Sequence, residues 1–333
     1  MCGSPPHQWI ASVSLDHCPK VMPQLEIASM NPGGWPDASL PEHVSLGKFD
    51  RSVSLGAWAY NEELLVESFL TRAINLLNLT VHDWEIVFVD DGSTDSTPKI
   101  LREFTQREPR LRVVRHPRNL NVGMAFRTAL ANASKEYFFS QTVDWSYDIS
   151  RLRVFLELLK HFDVVQGIRP VPIRLLSYIP VVRSIYRIQR RSDTLYKAVI
   201  SLANYYILRI LFGARFHDFQ NITFYPIRIV RQTELAGRTS FVNPELLLKS
   251  YYRGAKFIEV PIRFIKRDLG VAKGTKIKVV IRSLADTARN WVSWGLRYRL
   301  KRQPPSVIYR VAEPFRLDQP VLRLILPLFE DFK

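Results

Sequence analysis

The stretch that decides the fold runs from Glu85 to Asp95 and reads Glu-Ile-Val-Phe-Val-Asp-Asp-Gly-Ser-Thr-Asp. Its first half, Glu85 to Val89, is a short apolar run, which predicts a buried strand. The acidic half, from Asp90 to Asp95, predicts a turn that ends in a helix N-cap. A helix is then expected from about Ser96 to Arg107. The stretch therefore predicts a strand, a turn and a helix, with carboxylates at the junction.

The same alternation continues on both sides of this stretch. Upstream, Val53-Ser-Leu-Gly-Ala-Trp58 predicts a buried strand, and the apolar spacing from Glu62 to Leu77 predicts a helix. Downstream, the patterns predict a helix at Gly123–Ala133 and strands at Leu111–Arg115, Tyr137–Ser140, Phe219–Tyr225 and Phe257–Phe264. Alternating strands and helices imply a mainly parallel sheet with helices on both faces, so the predicted fold class is α/β.

The composition indicates a folded chain with an anionic partner. The chain has 333 residues, of which 47% are hydrophobic, and a formal net charge of +16. A sizeable core is therefore expected, and global disorder is excluded. The positive charge is compatible with nucleic acid, anionic lipid or a phosphorylated substrate.

Cysteine usage and hydropathy bear on the compartment. The two cysteines, Cys2 and Cys18, lie near the start, so neither a disulfide framework nor a cysteine-based zinc site is expected elsewhere. A reducing compartment is the simplest interpretation. No apolar run has the length of a transmembrane helix, and residues 1–20 lack the pattern of a signal peptide.

The composition also divides the chain into three parts. Residues 1–50, rich in Pro, Gly, Ser and His, are predicted to be a poorly ordered leader. Residues 51–275 hold the predicted domain, with order beginning at Val53. Residues 276–333 are predicted to be a basic amphipathic, membrane-surface segment, and 171–191 has a similar mixture of basic and apolar residues. Two alternatives are a core-facing helix with a solvated basic face, and nucleic-acid binding, for which no recognised motif is present.

Two polar motifs follow the first two predicted strands. Trp58-Ala-Tyr60-Asn-Glu62 ends the first, and Asp90-Asp91-Gly-Ser93 ends the second. Because ligands of parallel sheets bind beyond the carboxyl ends of the strands, both motifs are expected at one crevice. Carboxylates there accept hydrogen bonds from a base and from ribose hydroxyls, and Tyr60 packs either on the base or on the protein. Asp-Asp-Gly-Ser alone is also a good turn and cap, but the two motifs together favour a nucleotide site.

These motifs, in this order, resemble those of the inverting family-2 glycosyltransferases of GT-A fold, from Val53 to about Lys273. The similarity is greatest to the dolichol/polyprenyl-phosphate sugar synthases. It implies a nucleotide-sugar donor and a Mg²⁺ or Mn²⁺ ion. By the same resemblance Tyr60, Glu62, Asp90 and Asp91 are donor-binding residues.

The metal motif departs from the family pattern. Over the usual Asp-x-Asp, Thr142 replaces the first Asp, Asp144 keeps the second, and Asp148 follows four residues on. The resemblance makes Asp144, with Asp148, the predicted metal ligand. One carboxylate with diphosphate and water is able to hold Mg²⁺, and a weakened, metal-optional or lost site remains the alternative. Trp58 likewise replaces the family's Pro.

Weaker matches downstream supply the remaining predicted site residues. Gly167-Ile-Arg169 resembles a Gly-Ser-Arg motif and makes Arg169 an acceptor-binding residue. Arg267-Asp-Leu-Gly-Val-Ala-Lys273 resembles a basic run of the polyprenyl-phosphate synthases that helps to bind diphosphate or acceptor phosphate. A metal at Asp144, with Arg267 and Lys273, is expected to stabilise the leaving diphosphate. Asp218 and Glu245 are the candidate bases for a hydroxyl acceptor, whereas a lipid phosphate needs no base.

The sequence therefore predicts a glycosyltransferase that moves a sugar from a nucleotide-sugar donor to a polyprenyl-phosphate or other lipid or glycan acceptor. It is expected in the cytoplasm, peripherally associated with the membrane, in cell-envelope glycan synthesis. The alternative is a non-catalytic GT-A-like protein that binds nucleotide sugars and has a degraded metal motif. A nucleotidyltransferase-like fold is a third reading.

Overall fold

A computed structural model describes residues 47–168, 195–262, 265, 277–301, 306 and 308–310. The strands are β1 Val53–Ala59, β2 Trp84–Asp90, β3 Leu111–Arg115, β4 Tyr137–Ser140, β5 Val164–Ile168, β6 Thr223–Pro226, β7 Phe257–Pro261 and β8 Ile308–Arg310. The helices are α1 Glu63–Thr80, α2 Thr97–Arg107, α3 Val122–Asn132, α4 Leu152–Leu158, α5 Leu195–Phe212, α6 Ile227–Arg231, α7 Val242–Tyr252, α8 Ile277–Asn290 and α9 Leu296–Leu300. A π-helical turn, Trp291–Gly295, joins α8 to α9.

The strands form one mixed sheet in the order β3-β2-β1-β4-β6-β5-β7-β8. β6 runs antiparallel to β4 and β5, and the other neighbouring pairs are parallel. The predicted α/β class and mainly parallel sheet are therefore confirmed. In the sheet register Ala59 lies beside Asp90, and Asp90 lies beside Arg115, so β1, β2 and β3 end at one edge.

The core lies on both faces of this sheet, as the apolar runs require. All seven residues of β2 are buried, which is typical of a strand covered on two sides. Successive side chains of a strand point to opposite faces, so the neighbours Phe138 and Phe139 enter different core clusters. Helix α1 buries Leu65, Phe69 and Leu77 at helical spacing against one face.

The core includes one residue that the sequence assigns to the leader. Phe49, which falls in the predicted leader, is fully buried. Its N–H donates to the carbonyl of Thr80 (2.7 Å), and its ring centroid is 5.8 Å from that of Tyr137. Phe49 therefore belongs to the core; residues 1–46 of the predicted leader lie outside the described residues.

Described residues after the predicted boundary at residue 275 contact the preceding part of the chain. β8 extends the sheet by pairing in parallel with β7, and the inner side of α8 is bonded to the loop before α7. The predicted strand at Phe219–Tyr225 begins only at Thr223, because the turn around Asp218 occupies the preceding residues. Within the described part of the chain, no helix combines the length and hydropathy that a membrane crossing requires.

Candidate active site

Hydrogen bonds join the loops that follow β1 and β2. Asn61 has φ of +52°, in the left-handed region that Asn tolerates better than most residues. Its N–H donates to Ser93 Oγ (2.9 Å), and its Oδ1 accepts from the N–H of Thr94 (2.8 Å). The N–H of Glu62 donates to the Thr97 hydroxyl (3.1 Å). The two sequence motifs therefore form one fixed surface, with Glu62 half-buried on it.

Asp95 fixes the starts of α1 and α2 together. One carboxylate oxygen accepts from the N–H of Thr97 (3.0 Å) and the other from that of Glu63 (3.2 Å). The Glu63 carboxylate in turn accepts from the N–H of Ser96 (2.9 Å). Burial acts to raise the pKa of Asp95, but the hydrogen bonds from Thr97 and Glu63 outweigh it and lower the pKa below its usual value. Asp95 thus stabilises the predicted turn one residue ahead of Ser96, the N-cap residue of α2, whose own side chain makes no capping hydrogen bond.

Asp90 is buried at the end of β2 and closes the acidic turn. Its Oδ1 accepts from the N–H of Ser93 (2.9 Å). Its Oδ2 lies 3.3 Å from Nε of Arg115, whose Nη2 also donates to the Ser93 carbonyl (3.0 Å). Gly92 needs its φ of +77°, and an added Cβ would lie 2.5 Å from the Arg118 carbonyl carbon. The turn therefore tolerates little change of shape.

Asp91 is held by one oxygen only. Its Oδ1 accepts from the N–H of Leu120 (2.9 Å) and lies 2.7 Å from Nδ1 of His116. Because an ionised carboxylate only accepts, Nδ1 carries the proton in this contact. The other ring nitrogen of His116 lies 2.9 Å from the Thr128 hydroxyl on α3. Asp91 Oδ2 has no hydrogen-bond partner within the described ranges, so it is the oxygen left for a ligand.

His116 and Arg115 were missed by the sequence analysis. Both stand at the carboxyl end of β3, beside the predicted carboxylates. That position was the available signal, because β3 neighbours β2 and ends at the same edge. Tyr60, the predicted donor-binding aromatic residue, is half-buried directly after β1. Its role in donor binding stays a prediction.

The segment after β4 carries the predicted metal motif to the same edge. The N–H of Gln141 donates to the Gly56 carbonyl (3.0 Å), which continues the pairing of β4 with β1. Asp144 Oδ1 accepts from the Ser146 hydroxyl (2.6 Å), and Thr142 Oγ1 accepts from the Ser146 N–H (3.2 Å). Asp144 is therefore fixed by its own turn, next to the Thr142 hydroxyl that replaces a carboxylate.

This donor set fits one mode of metal binding. No group of three or more His, Cys, Asp or Glu side chains in the described residues is arranged to hold a metal ion. A dedicated protein cage is therefore absent from that part of the chain. Mg²⁺ is, however, commonly held by one or two carboxylates together with substrate phosphates and water. Asp144 supplies one such carboxylate.

Asp148 has structural contacts. Its Oδ1 accepts from the N–H of Ser150 (3.1 Å), ahead of α4. It also interacts with Arg72, which lies over the Trp145 ring at 4.4 Å. Burial lowers the pKa of Arg72, and Asp148 partly offsets that effect. The role of Asp148 as a metal ligand stays a prediction.

Asp218 is buried in the turn before β6. Its Oδ1 accepts from the N–H of Gln220 (3.1 Å), and its Oδ2 lies 3.4 Å from Nδ2 of Asn221. Its carbonyl accepts from the side chain of Gln166 on β5. These bonds shape the turn, and a catalytic role for Asp218 stays a prediction.

Glu245 does not fit its predicted role as a general base. It is fully buried in α7, and its carboxylate accepts from the N–H groups of Ala236 (3.0 Å) and Gly237 (2.6 Å). Lys249 Nζ lies 2.7 Å from Oε1 and also donates to the Glu234 carbonyl (2.6 Å). A base must reach the acceptor hydroxyl, whereas both oxygens of Glu245 anchor the loop before α7.

Three further predicted residues, Arg169, Arg267 and Lys273, lie outside the described residues. The basic segment 171–191 does so as well.

Comparison with known proteins identifies the family. The model of the family described as glycosyl transferase family 2 matches residues 55–222, half of the chain. The chain belongs to glycosyl transferase family 2. This family-2 match contains Asp90, Asp91, Asp144 and Asp218, whereas Glu245 lies beyond it.

Two curated relatives of this family-2 chain act on lipid phosphates by name. It is 27% identical over 191 residues to a dodecaprenyl-phosphate galacturonate synthase of Rhizobium johnstonii, over 56% of this chain and 51% of that protein. It is also 27% identical over 141 residues to the dolichyl-phosphate beta-glucosyltransferase ALG5D of Trichomonas vaginalis, over 41% of this chain and 43% of that protein. The chain thus spans about half the length of these relatives, or less.

Solved structures confirm the predicted GT-A fold of this family-2 chain. Glucosyl-3-phosphoglycerate synthase of Mycobacterium tuberculosis, in complex with UDP, superposes with a TM-score of 0.50 at 16% identity, over 73% of this chain and 80% of that chain. The same synthase with Mn²⁺, UDP and glucosyl-3-phosphoglycerate gives 0.50 at 16% identity, over 79% and 87%. At this identity the likeness shows the fold alone.

Proposed function

We propose that this family-2 chain transfers a sugar, with inversion, from a nucleotide-sugar donor to a polyprenyl phosphate at a membrane surface. The observation that carries the proposal is the carboxylate of Asp91. His116 and Leu120 hold one of its oxygens and leave the other at the edge where the loops after β1, β2 and β4 meet. We propose that this oxygen accepts a hydrogen bond from a polar N–H of a nucleotide base.

The donor is bound by the fixed surface between the β1 and β2 loops. Asp91 accepts from the base, and Tyr60 and Glu62 flank the nucleotide. Asp90 keeps the turn that presents Asp91, through the hydrogen bond it accepts from Ser93 and its ion pair with Arg115. Since hydrogen bonds already fix these loops, donor binding costs little conformational entropy in them.

Asp144 is the residue that would hold a divalent ion against the donor diphosphate. The ion, when bound, supplies positive charge to the leaving nucleoside diphosphate. Thr142 contributes a neutral hydroxyl where a second carboxylate is expected, so we propose a weaker ion affinity than two carboxylates give. Arg267 and Lys273 are proposed to neutralise the same diphosphate, and Arg169 to position the acceptor phosphate.

A phosphate acceptor needs no general base, and this agrees with the structural contacts that occupy Glu245. An acceptor hydroxyl must lose a proton during attack, whereas a lipid phosphate is already anionic. Glu245 is committed to Lys249 and to two backbone amides. The names of the dodecaprenyl- and dolichyl-phosphate relatives point to the same acceptor class.

The test is a donor screen by calorimetry followed by a transfer assay. UDP-, GDP- and dTDP-sugars are titrated with Mg²⁺, Mn²⁺ or EDTA, and the donor that binds is then incubated with polyprenyl phosphate or the matching polyprenol. Binding of one donor, weakened by EDTA, with product formed only on the phosphate, is expected. Product formed only on polyprenol refutes the phosphate acceptor.

The Thr142→Asp variant separates a weakened enzyme from a binding protein. A second carboxylate is expected to tighten Mn²⁺ binding and to raise turnover. The matched control is Thr71→Asp, because it makes the same substitution at an exposed position in the middle of α1. Donor binding without turnover in the wild type and in Thr142→Asp would refute catalysis and favour a non-catalytic binding protein.

A further inference from the structure

The helical segment formed by α8, the π-helical turn and α9 buries polar side chains of α8, whereas its second half packs Trp294 into the core. Asp286, Thr287 and Asn290 are almost fully buried. Its outward side carries large apolar side chains among cations, with exposed fractions of 59% for Ile281, 38% for Leu284, 76% for Val292, 44% for Leu296 and 72% for Leu300. A helix of a monomeric soluble domain is expected to bury apolar side chains such as Ile281 and Leu284 rather than Asp286 and Asn290.

The rotation of this segment is fixed by its buried polar contacts. Asp286 Oδ2 accepts from the N–H groups of Arg238 (2.9 Å) and Thr239 (3.1 Å) and from the Thr239 hydroxyl (2.8 Å). Asn290 Oδ1 accepts from the Trp294 indole N–H (2.8 Å). Turning the apolar side inward would break these bonds and leave buried polar groups without partners, which is costly.

Helix α5 lies beside the segment and adds to the exposed apolar surface. Arg299 Nη1 donates to the Leu211 carbonyl (2.7 Å), and an added Cβ on Gly295 would lie 2.5 Å from the Phe212 ring. On α5, Tyr206 and Ile210 have exposed fractions of 37% and 66%. We define the apolar face as these two residues together with Ile281, Leu284, Val292, Leu296 and Leu300.

The charge around the apolar face is positive. The exposed cations of the segment are Lys278, Arg282, Arg289, Arg297, Arg299 and Lys301. Asp286 is the one acidic residue between 277 and 301, and it is buried on the inner side. A second copy of this chain would bring like charges together, whereas anionic lipid headgroups complement them.

We propose that the apolar face docks on a bilayer that contains anionic lipid, with the segment lying in the plane of the headgroups. Apolar side chains enter the acyl boundary and the flanking cations contact lipid phosphates. The proposal does not depend on the transfer reaction, because vesicle binding is measured without donor, ion or acceptor.

The test is co-flotation of the full chain with vesicles of phosphatidylcholine alone or with phosphatidylglycerol. The variant Val292→Glu/Leu300→Glu charges the apolar face. The variant Leu64→Glu/Leu79→Glu is the matched control, because Leu64 and Leu79 on α1 are 69% and 75% exposed and the change in charge is the same. The unfolding temperatures of both variants are measured to check that each of them folds.

The wild type and the control are expected to bind the anionic vesicles, and more weakly at high salt. The face variant is expected to lose affinity by at least about tenfold. Each of Arg282→Gln and Arg297→Gln is expected to weaken binding by about fivefold. Equal binding of the two double variants to anionic vesicles would overturn the proposal. A wild type that does not bind these vesicles would overturn it as well. A dimer that the face variant dissociates, without vesicle binding, would assign the face to a second copy.

Discussion

Asp91→Asn tests the central contact of the proposed donor site. The substituted side chain keeps its size and one oxygen. That oxygen is expected to stay inward, because it accepts from the N–H groups of Leu120 and His116, at 2.9 and 2.7 Å in the wild type. The amide nitrogen then replaces Oδ2 at the crevice, so a donor faces the N–H of the base instead of an acceptor.

The size of the effect follows from the lost bond. A hydrogen bond to a charged group contributes about 1.5–3 kcal/mol, which corresponds to a factor of roughly 10 to 150 in the dissociation constant. The Kd of the nucleoside diphosphate is therefore expected to rise by one to two orders of magnitude. The unfolding temperature is expected to change little, since the inward contacts persist.

Calorimetry with the nucleoside diphosphate of the cognate donor measures this Kd. Asp83→Asn is the control, because it makes the same chemical change at an exposed carboxylate whose partner is Lys135. An Asp91→Asn protein that folds normally and binds within about twofold of the wild type would refute the reasoning, since a lost charged contact costs more than that. In that case the base is read elsewhere.

The other predictions concern packing and charge. Gly123→Ala is expected to lower the unfolding temperature, because the new Cβ would lie 2.3 Å from the Arg238 carbonyl carbon and overpacking costs about 1–3 kcal/mol; unchanged calorimetric melting would contradict this. Glu245→Gln is expected to cost about 3 kcal/mol in urea unfolding, because it leaves the buried Lys249 ammonium without its counter-charge; a neutral effect would restore Glu245 as a candidate base. Glu85→Gln is expected to destabilise at neutral pH and progressively less in acid. Burial acts to raise the pKa of Glu85, but hydrogen bonds from the hydroxyl and amide groups around it lower the pKa overall. The stability it adds is complete above the unfolded pKa of about 4.3 and is lost as the pH falls through the lowered folded pKa. A wild-type-to-variant difference that grows in acid would contradict that sign.

Much of the fold and part of the site were readable from sequence because their causes are local. The apolar run Glu85–Val89 predicts β2 within one residue at each end, and the acidic turn after it places Asp90 and Asp91 at the strand edge. A turn with a cap was predicted up to Asp95 because short polar residues before a helix favour that arrangement, and the N-cap residue of α2 is the next one, Ser96. His116 was missed, since its position after β3 is the only signal that it faces Asp91, 25 positions earlier, and no motif marks it.

The sequence by itself determined the alternation of strands and helices, the carboxylates at the strand ends and the family. Periodicity and strand ends need no knowledge of long-range contacts. Only the tertiary structure decided which carboxylates are taken up by structural hydrogen bonds and ion pairs. Glu245 has the motif position of a functional acid, but Lys249 and two amides occupy it. It also decided which way the segment after Ile277 turns. An amphipathic pattern predicts that a helix has a polar and an apolar side. The hydrogen bonds from the loop at Arg238 to Asp286 determine which side faces the protein.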